Sequence, residues 1–154
     1  IPTILSRLRQ YHFPKRSDDA ERKVLNQIFG ENTGEYPDLE SYFLAWQNIK
    51  TDDLRAAAVQ FVQHVLSKEP DFLPTLKQIG DKIKDKNNAY YFLRFLTASL
   101  EEKYREESSP GPETARRFEG WNREIRDCLY GINSYNQRPA LKIEELFLSM
   151  RQAV

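Results

Sequence analysis

Apolar residues recur every three or four positions over most of this chain, a spacing that predicts helices rather than strands. The pattern is clearest from Thr51, which caps a helix whose Leu54, Ala58, Phe61, Val62, Val65 and Leu66 share one face. A further helix carries Leu73, Leu76, Ile79 and Ile83, weakened by Gly80. The most apolar stretch runs from about Asn88 to Arg105. Its Tyr91, Phe92, Phe95, Leu96 and Leu100 mark it as the central core element. Another helix, Glu113 to about Ile132, bears Phe118, Trp121, Ile125, Cys128 and Leu129. The last, Pro139 to Met150, bears Leu141, Leu146, Phe147 and Met150.

The first fifty residues are less regular. In Arg9 to Phe13, Tyr11 and Phe13 alternate with polar neighbours, which reads as one short strand closed by Pro14. Ser17 and Asp18 cap a helix reaching about Phe29, with Val24, Leu25, Ile28 and Phe29 on one face. Gly30 stops it, and Pro37 starts a second helix with Leu39, Tyr42, Phe43 and Trp46 on its buried side. Glu69-Pro70 punctuates the chain, and Glu107 to Pro112 (ESSPGP) is its clearest break. The predicted fold is all-α, with one residual strand at the N-terminus.

Composition narrows the possibilities. At 154 residues, 40% apolar and 30% charged, the chain can bury a sizeable core and is not a disordered segment. Lys+Arg and Asp+Glu number 23 each, which excludes a whole-surface electrostatic grip on nucleic acid or anionic lipid. One cysteine, Cys128, makes no internal disulfide and reads as a small buried residue, so the cytoplasm is the expected location. No run of about 18 apolar residues is available to cross a membrane. The chain begins at Ile1 and its single methionine is Met150, so it is expected to be a piece of a longer protein.

Candidate chemistry is sparse. His12 and His64 have no ligand-type residue at helical spacing, so no metal and no cofactor are expected. The six glycines form no phosphate-cradling loop. The acidic pairs Asp52-Asp53 and Glu101-Glu102 fall at helix starts or on exposed faces, where carboxylates are solvated or complement the helix dipole. One local feature stands out: residues 1 to 17 hold Arg7, Arg9, Lys15 and Arg16 and no acid. An arginine held out there suits a phosphate, through its bidentate guanidinium fork.

Two segments carry a resemblance to a family. Thr3 to Phe13 (TILSRLRQYHF) resembles the Ser-Arg-Cys motif and following strand that close the AAA+ domain of clamp-loader subunits. Ile132 to Met150 (INSYNQRPALKIEELFLSM) is similar to the final collar helices of the bacterial subunits. Leu8 stands where the family usually has cysteine, and the sensor pattern of the lid helix is absent between Trp46 and Leu54. The resemblance implies three parts: the end of an AAA+ core over 1–15, a helical lid over 16–50 and a helical collar over 51–154. It implies that Arg7, following Ser6, reaches the ATP site of a neighbouring subunit as an arginine finger. It implies no active site within this stretch. The implied partners are the gamma/tau and delta subunits and, through the whole complex, the sliding clamp and primer-template DNA. Trp121, Ile125, Leu141, Leu146, Phe147 and Met150 are then the expected subunit interface. A helical nucleic-acid-binding module is the competing reading, motivated by the basic residues 7 to 16 and the Arg116-Arg117 pair.

Overall fold

The computed structural model describes residues 17–29, 39–67, 72–106 and 111–152; of Leu25, Ile28 and Phe29 it describes the backbone alone. Every regular element among them is a helix, so the fold is all-α. In chain order these are α1 (Asp18–Phe29), α2 (Leu39–Trp46), α3 (Thr51–Ser67), α4 (Leu73–Lys82), α5 (Lys86–Glu106), α6 (Pro112–Ser134) and α7 (Pro139–Gln152). The strand expected at Arg9 to Phe13 lies outside the described residues. The chain divides into two compact units between Asn48 and Ile49.

In the first unit, Ser17 caps α1: its hydroxyl accepts from the Ala20 N–H at 3.4 Å and its carbonyl from Glu21 N–H at 2.9 Å. Asp18, Asp19 and Glu21 place negative charge at the positive end of the helix dipole. Helix α2 corrects an expectation. No side chain on it is buried: Leu39 and Tyr42 are half-buried, Phe43 is exposed, and Trp46 is 75% exposed. Eight residues make only two turns, too short for one face to close over a core of its own. Asn48, at φ 56°, ends the helix in the left-handed region that asparagine tolerates.

The second unit is a five-helix assembly, α3 to α7, in which the α3–α5 contact is the most extensive. Arg55, early in α3, lies 5.0 Å over the Phe95 ring, while Phe61, further along α3, meets Phe92, earlier in α5. The two helices therefore run antiparallel. Phe61 is fully buried and edge-on to two rings, Phe92 at 5.7 Å and Phe147 of α7 at 5.1 Å. Phe72, the residue before α4, stacks on Phe147 at 5.1 Å and carries the Arg151 guanidinium 4.5 Å above its own ring. A second cluster, Tyr104–Phe118–Trp121, joins α5 to α6 with ring centroids 5.1 and 5.2 Å apart. Such offset aromatic pairs add about 0.5–1.5 kcal/mol each beyond the area they bury.

Helices α6 and α7 form an antiparallel hairpin. The buried Trp121 indole N–H donates to the Met150 carbonyl at 3.0 Å, satisfying a last-turn carbonyl that has no partner within α7. The turn between them places Asn136 at φ 54°, and both Tyr135 and Gln137 N–H groups donate to the Gly131 carbonyl, at 3.2 and 3.3 Å. A Cβ at Gly131 would meet the end of the Gln137 side chain and sit 3.2 Å from Lys142 Cε, so these two flexible side chains would have to shift to admit it.

Helix α5 starts two residues earlier than its apolar pattern suggested, at Lys86, because Asp85 caps it. Asp85 Oδ1 accepts from the Asn88 backbone N–H at 2.8 Å and from its side-chain amide at 2.9 Å. Helix α6 likewise starts at Pro112 with Gly111 as its N-cap, so the end of the apparent linker belongs to the helix.

Three outcomes are expected. Phe61→Ala opens a cavity where three helices meet and costs about 3–5 kcal/mol in urea unfolding. Gly80→Ala has the opposite sign. A Cβ there lies 3.9 Å from that of Ala140, an ordinary contact, so the alanine stabilises by about 0.5–1 kcal/mol. Donation by the Asn88 backbone N–H, against partial desolvation, holds the Asp85 carboxyl below its ordinary value. Because the folded chain binds that proton more weakly, the cap's contribution is present at neutral pH and fades as pH falls below about 4. Asp85→Ala should cost about 1 kcal/mol at pH 7 and progressively less in acid. An unchanged cost at pH 3 would contradict this.

Candidate functional site

The residues expected at a subunit surface separate into two groups once placed on their helices. Trp121, Ile125, Leu146, Phe147 and Met150 are all buried inside the second unit, engaged with their own neighbours. Trp121 is held by Met150 and Phe118, and Phe147 by Phe61 and Phe72. They form core rather than contact surface, which corrects the expectation that they stay open to partners. The reason is the hairpin: α6 and α7 turn their apolar stripes toward each other and toward α3 and α5. Leu141 is the exception, at 55% exposed. Arg7 and Ser6 lie outside the described residues.

The apolar residues that do face outward on these helices are Tyr130, Tyr135, Leu141 and Leu148. Tyr130 and Tyr135 stand edge-to-face at 5.4 Å beside the α6–α7 turn. A helical projection foretells Tyr130, which falls on the side of α6 away from Trp121, Ile125 and Cys128. Leu141 and Leu148, seven residues apart, similarly share the outer side of α7, opposite Ile143, Leu146 and Met150.

Open grooves cross this unit, two of them lined by described residues. One, about 690 Å³, lies between α5 and α6, floored by Tyr104, Phe118 and Ile125 and rimmed by Glu101, Arg105, Glu119 and Arg126. Within it Arg105 and Glu101 approach to 3.8 Å, both well solvated, a pairing worth about 0–1 kcal/mol. The other, about 660 Å³, runs between α4 and α7 past Lys77, Asp81, Lys84, Arg138 and Glu144. Neither is enclosed, and each mixes carboxylates with cations.

Among the described residues, His64 and Cys128 are both engaged in packing. His64 Nε2 shares a 3.2 Å hydrogen bond with the Thr75 hydroxyl, tying α3 to α4. Cys128 is buried on α6, and its thiol donates to the Lys142 carbonyl at 3.6 Å. Desolvation by burial, only partly offset by Lys142, pushes its pKa up to about 12. The thiolate is the nucleophile, so this sulfur is inert near neutral pH. Arg117, half of the Arg116-Arg117 pair, is half-buried with its guanidinium 5.4 Å over Trp121. The pair therefore does not project two cations outward together. Among the described residues, no group of three or more His, Cys, Asp or Glu side chains gathers as a metal site, and no helix is long and apolar enough to cross a membrane.

No family model, curated protein or solved structure matches this chain.

The burial of Cys128 governs its reactivity. At pH 8 the folded protein should react with a thiol-specific disulfide reagent at least ten times more slowly than the urea-unfolded chain. Equal rates would mean that the sulfur is accessible and that α7 does not cover it.

Proposed function

We propose that this chain is a helical assembly module, acting by packing against other proteins rather than by turning over a substrate. More particularly, we read it as the lid and collar of a delta prime subunit of the bacterial DNA polymerase III clamp loader. The observation that carries the reading is the order of parts. A short helical unit ends at Asn48 and a five-helix unit begins at Ile49; the first contains the segment that resembles the close of an AAA+ domain, and the second ends with the one that resembles the final collar helices.

On this reading the residues through about 15 end the AAA+ core, 16–50 form the lid and 51–154 the collar, in the cytoplasm. Arg7, following Ser6, reaches the ATP site of a neighbouring subunit and stabilises charge on the transferring phosphate. The missing lid sensor pattern favours delta prime over the ATP-hydrolysing gamma/tau subunit. The collar meets gamma/tau and delta through its outer residues, among which Leu141, Leu148, Tyr130 and Tyr135 offer apolar area. The sliding clamp and primer-template DNA are then partners of the assembled complex. The nucleic-acid-binding alternative loses the paired arginines on α6, since Arg117 is spent on Trp121.

Co-elution decides between the two. Mixed at micromolar concentration with gamma/tau and delta subunits, the chain should enter a larger complex on size exclusion. A chain that runs alone in that mixture, yet binds DNA with a steep salt dependence, would overturn the clamp-loader reading and favour the alternative.

A further inference from the structure

We draw no further inference here: the strongest candidate, the open groove between α5 and α6 floored by Tyr104, Phe118 and Ile125, carries both acidic and basic residues on its rim, and nothing in the structure shows what covers it.

Discussion

The second unit depends on one side chain being shared by three helices. Phe61 lies midway along α3, and its ring meets Phe92 of α5 and Phe147 of α7 edge-on at the same time. A phenyl ring can do this because its positive edge and negative faces favour perpendicular neighbours at about 5–6 Å. An aliphatic residue of similar volume would fill the space without setting the angle between α5 and α7. Phe72 extends the cluster to the start of α4 through Phe147, so four of the five helices are oriented around a single aromatic group. The remaining helix, α6, is tied in elsewhere.

That second tie is directional. Trp121 reaches across the hairpin to the Met150 carbonyl, while its ring packs on Phe118, itself against Tyr104 of α5. Burying an indole N–H without a partner costs about 1–3 kcal/mol, so the bond fixes which carbonyl at the end of α7 stands opposite Trp121. The Cys128 thiol, pointed at the Lys142 carbonyl, sits about two helical turns nearer the turn and obeys the same register. Two side-chain donors from α6 thus meet two carbonyls of α7, and slippage by one residue would lose both. The hairpin is held by geometry as well as by buried area.

The helices from α3 onward were legible because their apolar stripes are wide and long, and Leu54, Phe61, Phe92 and Leu96 are all buried as their spacing requires. Helix starts were harder to read where the cap is polar: Asp85 lies outside the apolar pattern of α5, although Asp is itself a preferred N-cap residue. Helix α2 misled because its apolar residues were assigned to a core that two turns cannot supply. Candidate contact residues were misread for a related reason. Helical spacing distinguishes an inner from an outer face, but Trp121, Leu146 and Met150 belong to the inner face of their own hairpin. Hydrophobicity by itself does not say whether the surface that covers a stripe comes from the same chain.

Electrostatics limits what remains. Acidic and basic residues balance at 23 each, and they are interleaved at short range: Lys103 with Glu106, Lys142 with Glu145, Arg105 with Glu101. Pairs of this kind cancel within a few ångströms, well inside the Debye length of about 8 Å at physiological ionic strength, so these pairs contribute little field beyond that distance. Three arginines, Arg55, Arg117 and Arg151, lie over aromatic rings, and of these Arg117 and Arg151 are half-buried while Arg55 is exposed. A surface without a long-range field does not steer a charged ligand toward itself; it recognises by shape over contact distance. Around these pairs, affinity therefore rests on shape and close contact rather than on net charge.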